Sequence, residues 1–152
     1  MNIELVSACM DRPLFLSMAK DYIETLAQYD SRIRWDEVAW NENCWKAKFI
    51  MEDRTVQGFV VYEKVPFDFY PPAIYIGEIY VVPEARRRGV ATAATKAAVG
   101  DWDGDVFLYI LSGNRGARLL WTDVEAELGW KRINRPEIDE ENGCELRVYR
   151  TK

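Results

Sequence analysis

The densest chemistry in the sequence lies in IYIGEIYVVPEARRRGVATAATKAAV, residues 74–99. A β-rich run stops at Pro83. Arg86, Arg87 and Arg88 follow, and Gly89 then opens a stretch of small residues. Each part suits an anion. Glycine lets backbone approach a ligand closely. The first N–H groups of a helix are unpaired and lie at its positive end. Guanidinium groups donate in pairs to phosphate oxygens. Ala91, Ala93 and Ala94 let such a helix sit close to a sheet and a ligand. The pattern is neither a Walker loop, because no GKS or GKT follows, nor G-x-G-x-x-G, because only Gly89 is present. An arginine run on a loop is ordinarily a solvated face. Here the strand before it and the Ala-rich helix after it supply the context a pyrophosphate site needs. The sequence also contains no histidine. That excludes Ser-His-Asp and Cys-His devices and His-ligated zinc. Any proton transfer must use a carboxylate, Tyr, Lys, Cys, a backbone group or water.

The elements that must position these residues follow from periodicity. Residues 2–7 alternate and read as a strand. Asp11 is an N-cap candidate and Pro13 suits a first helical turn. Leu14, Phe15, Met18, Ala19, Tyr22, Ile23 and Leu26 recur at helical spacing, predicting a helix over 12–29. A short helix over 35–42 and strands over 44–51 and 55–65 come next, the strands joined by a hairpin-sized EDRT. PFDFYPP, residues 66–72, has three prolines and no period, and reads as a loop. A strand over 74–82, a helix over 89–100 and a buried strand over 105–111 precede a helix ending near Gly129. The tail offers strands over 130–134 and 144–150, with an acidic turn-rich PEIDEENG between them. The order is βααβββαβαββ, an α+β or α/β arrangement in one domain spanning 1–152.

Composition agrees with one ordinary domain: 152 residues, 49% hydrophobic and 30% charged. The net charge of −5 argues against nucleic-acid or anionic-membrane binding and suits a cationic substrate. Cys9, Cys44 and Cys144 are odd in number and scattered, so unpaired thiols and a cytoplasmic location are expected. The N-terminal residues lack the pattern of a signal peptide, and no run of about 18 apolar residues can span a membrane.

V-V-P-E-A-R-R-R-G-V-A-T resembles the acetyl-coenzyme A signature of the GNAT superfamily of N-acetyltransferases. Arg86, Gly89 and Ala91 match the fixed positions of Arg/Gln-x-x-Gly-x-Gly/Ala, and Val81 and Pro83 match the V-x-P before it. VFLYILSGN leading into Asn114, and the close Leu128-Gly129-Trp130, continue the likeness over nearly the whole chain. The resemblance implies an α+β GNAT fold. It would have a mixed, mostly antiparallel sheet of six to seven strands, about four flanking helices and a splayed central strand pair. It implies acetyl-coenzyme A as acyl donor, no metal, and direct acyl transfer to a small-molecule or protein amine. A non-catalytic acyl-coenzyme A-binding or regulatory module is the alternative. A homodimer is allowed.

By the same resemblance, Ile79, Tyr80 and Val81 would pair with the pantetheine arm. Arg86, Arg87, Arg88, Gly89, Val90, Ala91 and Thr92 would hold the pyrophosphate, with Asn114 also on the coenzyme side. The amine must lose a proton before attack, and the oxyanion needs a backbone donor. Glu78 is the first candidate base, in an apolar neighbourhood that would raise its pKa. Tyr80 and Tyr109 are alternatives. Family members often carry a tyrosine acid where this chain has Trp121, or Glu125 if counted back from Leu128-Gly129. Indole is no general acid at neutral pH, so Tyr149 or water is left to protonate the thiolate. Acceptor recognition falls to residues 29–40 and 66–72, through Trp35, Asp36, Phe69 and Tyr70, with Trp40, Phe67, Asp30 and Asp68 beside them.

Overall fold

The computed structural model describes residues 1–67 and 70–152. Its strands are β1 (Ile3–Ser7), β2 (Ala47–Glu52), β3 (Thr55–Phe67), β4 (Tyr70–Val81), β5 (Asp105–Leu111), β6 (Lys131–Arg132) and β7 (Cys144–Arg150). Its helices are α1 (Arg12–Leu26), α2 (Glu37–Glu42), α3 (Val90–Val99) and α4 (Arg115–Leu128). The chain order is the βααβββαβαββ expected from periodicity. The seven strands form one sheet in the order β1-β2-β3-β4-β5-β7-β6. Every pairing is antiparallel except that of β4 with β5.

Local chemistry explains most boundaries. The Asp11 carboxylate accepts the Leu14 N–H at 3.2 Å to open α1, with Pro13 in the first turn. Phe15, Met18, Ala19 and Ile23 form its buried stripe. The helix stops three residues short of the predicted 29. Asp30 redirects the chain there, accepting the Arg32 N–H at its side chain and the Ile33 N–H at its carbonyl. Strands β2 and β3 turn on Asp53 and Arg54, whose φ values of 48° and 70° make the doubly left-handed turn that matches strand twist. Strand β2 starts at Ala47 because Cys44–Lys46 forms a 3₁₀ turn.

The reading of 66–72 as a loop is corrected. Val65 pairs with Ala73 and Phe67 with Tyr70, so the β3–β4 hairpin continues into this segment. Pro66 stands at a register shift between Val65 and Phe67, where a missing N–H costs the ladder least. The expectation of unpaired thiols is corrected too. Cys9 and Cys44 form a disulfide with Cα atoms 5.6 Å apart, and Cys144 is free. The partners lie 35 residues apart in sequence, but β1 and β2 pair side by side and bring the turns flanking them together.

Helices α3 and α4 cover one sheet face over Ile50, Val60, Ile76, Leu108 and Ile110. Helix α1 covers the other face over Phe49, Phe59 and Tyr80. The segment between β6 and β7 lays Ile138 over Phe107 and Val148. Buried Arg135 anchors that segment through an ion pair to Asp105 at 2.9 Å. No helix among the described residues is long and apolar enough to cross a membrane.

Candidate active site

Strands β4 and β5 pair only from Ala73 to Tyr75, against Asp105 to Phe107. Beyond that they part, and the cleft between them opens beside a bulge. Val61 faces Glu78 and Tyr62 faces Ile76, so Gly77 is an extra residue in β4. One extra residue bends the strand and reverses which face later side chains take. Ile74 and Ile76 point under α3 and α4, whereas Glu78 and Tyr80 point toward α1. In a regular strand Glu78 would share the face of Ile74 and Ile76.

The same strand supplies backbone. The Val82 N–H bonds to Gln57 O at 2.8 Å, which sets the antiparallel alternation. Glu78 and Tyr80 turn their main-chain groups to β3, and Ile79 and Val81 turn theirs to the cleft. Arg86 Nε reaches Val81 O at 2.8 Å, as that alternation requires. Of the three residues expected at the pantetheine edge, Ile79 and Val81 therefore offer backbone and Tyr80 does not. Tyr80 is also displaced from its catalytic candidacy. Its ring is buried against Phe59 with centroids 5.7 Å apart, and it does not line the cleft cavity.

Glu78 stands at the junction of two cavities. The larger, about 220 Å³, is the cleft itself and is lined by Tyr22, Tyr75, Ile79, Tyr109, Asn114, Trp121 and Glu141 among others. The smaller, about 180 Å³, lies under α2 and is lined by Phe15, Trp40, Asn43 and Lys46. Burial pushes the Glu78 carboxyl up to about 7, against a hydrogen bond from the Tyr22 phenol that pulls it down. Burial also raises Tyr75 to about 12, with Glu78 and Glu141 adding to it. Tyr109 lines the cleft, but its O–H is committed to Asp139 O at 2.5 Å and burial raises its pKa. It anchors the β6–β7 segment.

At the far end of β4 the arginines divide their work. Arg86 holds Val81, with its guanidinium 5.7 Å over the Tyr80 ring. Arg88 pairs with Glu52 at 2.8 Å. Arg87 takes a left-handed φ of 64°. Gly89, at φ 81°, caps α3, and no side chain bonds this helix end. The N–H groups of Val90, Ala91 and Thr92 begin the helix, and a Cβ built at Gly89 meets nothing within 4 Å. A row of N–H groups at a helix start with no side-chain cap, beside the open space at Gly89, fits a pyrophosphate. The main chain, rather than the arginine side chains, forms that row.

Asn114 caps α4 by accepting the Ala117 N–H at 3.0 Å and lines the cleft. Trp121 is buried and walls the same cavity. Tyr149 and Glu125 do not line it. Tyr149 is buried against Trp130, and Glu125 is held by Arg132 at 2.9 Å. Neither is placed to protonate a thiolate in the cleft. Trp35 stacks on Trp40 at 6.3 Å, Asp36 caps α2 through the Ala39 N–H, and neither lines the two cavities at Glu78. Both secure the start of α2, which has no buried residue of its own. Phe69 and Asp68 lie outside the described residues, and Tyr70 is described only as the first residue of β4. Sequence reasoning missed Tyr22, Tyr75, Gly77 and Glu141. Gly77 carried a signal, since a glycine inside a β-run marks a bulge. Tyr22 carried none, because a tyrosine on an apolar helical stripe reads as core. Among the described residues no group of three or more His, Cys, Asp or Glu is arranged to hold a metal ion.

Comparison with known proteins places this geometry. The model of the acetyltransferase (GNAT) family matches residues 13–123. No protein of curated function matches the sequence. The fold is similar to a GNAT-family acetyltransferase of Bacillus cereus ATCC 10987, at 21% identity and TM-score 0.64, covering 99% of this chain and 96% of that one. It is also similar to the diaminobutyrate acetyltransferase of Paenibacillus lautus, solved with its substrate L-2,4-diaminobutyric acid and coenzyme A. That match has 11% identity, TM-score 0.64, and coverage of 99% and 94%. A chain of the NatC complex, solved with a Gag peptide and coenzyme A, matches at 15% identity and TM-score 0.62, covering 98% and 97%. With the family match extending over most of its length, the chain belongs to the GNAT family of acetyltransferases.

Proposed function

We propose that the protein is an N-acetyltransferase that moves an acetyl group from acetyl-coenzyme A directly to a primary amine. One observation carries this reading. A carboxyl raised to about 7 lies in the same cavity as the unpaired edge of a splayed strand. Two fold relatives solved with coenzyme A support the choice of donor. Acetyl-coenzyme A supplies the activated acyl thioester. The main-chain edges of Ile79 and Val81 would hold its pantetheine arm, and the α3 start at Gly89 to Thr92 its pyrophosphate.

The chain's own contribution to the reaction is proton handling and orientation. An alkyl ammonium has a pKa of about 10.4 and must shed a proton to attack. A carboxyl poised near 7 is ionised enough at neutral pH to accept it, and basic enough to hold it. A cleft-facing backbone N–H of β4 would donate to the oxygen of the reacting carbonyl. Trp121, one of the two positions matching the family's tyrosine acid, walls the cavity and is no general acid at neutral pH. A leaving thiolate of pKa about 8.5 tolerates that. Glu141, Tyr75 and Tyr109 line the acceptor side, and among the described residues the cavity lining includes no basic side chain. An acidic, aromatic lining favours a cationic amine. The neighbours' acceptors include a small diamino acid and a peptide, and the cleft volume favours the smaller.

The test is coenzyme A thiol release across a panel of small amines and peptides, with coenzyme affinity measured by calorimetry. Release with an amine supports the transferase. Tight coenzyme binding with no release for any acceptor would favour a non-catalytic acyl-coenzyme A-binding module instead.

A further inference from the structure

Glu78 does not stand alone at the bulge. The Tyr22 phenol, from α1, donates to its Oε2 across 56 residues of sequence. The ring cannot swing away, because Trp40, Phe59 and Tyr80 meet it edge-on at centroid distances of 6.4, 5.7 and 6.1 Å. Burial, and Glu78 after it, hold the phenol's pKa well above the ordinary tyrosine value. The phenol is therefore a permanent donor, with one proton and one direction to give it. Among the described residues nothing bonds Glu78 Oε1, the oxygen left to face an acceptor.

We propose that Tyr22 is the positioning residue of the base: it fixes the Glu78 carboxyl against the bulge and keeps it ionised, leaving Oε1 to take the amine's proton. The proposal rests on the transferase reading of the same site. A donor aimed at a carboxylate stabilises the charged form, whereas burial stabilises the neutral one. Without the phenol the carboxyl would be protonated at neutral pH and free to turn. The other titratable groups facing Glu78 are few. Tyr75 adjoins it on β4, Lys46 lines the smaller cavity, and Tyr109, Glu141 and the Cys144 thiol line the larger. None hydrogen-bonds the carboxyl.

Tyr22→Phe keeps the ring and removes the donor. Its expected signature is an acidic limb of kcat/KM moved to higher pH. Turnover should fall about tenfold at pH 7 and far less at pH 9, with the KM for acetyl-coenzyme A within about twofold of the parent. In a Glu78→Gln background the same substitution should change turnover by less than about twofold, because residues acting as a unit are not additive. A merely structural tyrosine would cost the same in both backgrounds and leave the limb in place, and either result overturns the proposal. A readout independent of turnover is the carboxyl titration of Glu78 followed by carbon-13 NMR in the free protein. Its midpoint should rise in Tyr22→Phe, and an unchanged midpoint overturns the proposal even if no acceptor is found. Full activity of Glu78→Gln would remove the base and this inference together. Activity lost in Glu78→Gln with an unmoved limb in Tyr22→Phe would sink the inference alone.

Discussion

Under the proposed transferase reading, the Glu78 carboxyl would set the pH dependence of turnover. Glu78 is raised to about 7 by burial, so kcat/KM should climb with pH through about 7 and level off above it. Glu78→Gln should cut turnover at least about a hundredfold, within the range general bases contribute, with coenzyme affinity unchanged by calorimetry. Stability should move the opposite way. The folded pKa lies above the unfolded value, so the folded state holds the proton more tightly and is favoured at low pH. That advantage is complete below about pH 4.5 and is lost as pH rises through 7. Glu78→Gln never ionises. Its melting temperature relative to the parent should therefore be higher at pH 8 than at pH 5, by the equivalent of up to about 3 kcal/mol. An identical difference at both values would mean that Glu78 titrates normally in the folded protein.

At the scale of elements, β4 does most of the positioning, and two glycines mark how. Gly58 lies opposite Val81, and a Cβ there would fall 1.8 Å from the Tyr80 carbonyl oxygen. Gly58→Val cannot be absorbed by a side-chain shift, because the obstacle is backbone. It should destabilise the protein by at least about 2 kcal/mol in denaturant unfolding, as overpacked sites do. Gly89 has the opposite character. Space around it is open, but its left-handed φ of 81° is one that a β-branched residue resists. Gly89→Val should lower coenzyme A affinity at least tenfold by calorimetry while unfolding stays cooperative. Unchanged affinity would argue that the α3 start is not the pyrophosphate site. The contrast separates a glycine kept for packing from one kept for the shape of a turn.

Across the whole molecule, the disulfide joins the turn after β1 to the turn before β2, at the margin of the α1–α2 layer. In the native oxidised protein a thiol reagent should modify Cys144 alone, and after reduction and unfolding all three cysteines. Native labelling of Cys9 would mean that the bond is not formed. A cross-link closing a loop of this length is worth about 2–4 kcal/mol, so a reductant should lower the melting temperature by several degrees. Coenzyme binding should survive reduction, because the bridge lies on the α1 face and the α3 start on the other.

The sequence by itself determined the element order, the helix caps at Asp11 and Asn114, and the glycine-led turn into α3 at Gly89. All three rest on short-range physics: side-chain period, a capping oxygen three residues from its N–H, a glycine at a strand-to-helix turn. Glu78 was legible as a candidate base because the absence of histidine left few alternatives. What lay beyond reach was set by contacts distant in sequence. Tyr22 meets Glu78 because α1 packs across β3 and β4. Cys9 meets Cys44 because β1 pairs with β2. Trp35 and Asp36 read as loop residues in the sequence, and in the fold they secure the start of α2. Even the face on which Glu78 points depended on one bulged residue, Gly77, since a strand of period two reverses every later side chain when a single residue is added. Tertiary structure decided which polar groups converge, because convergence comes from packing between elements and leaves no local pattern to read.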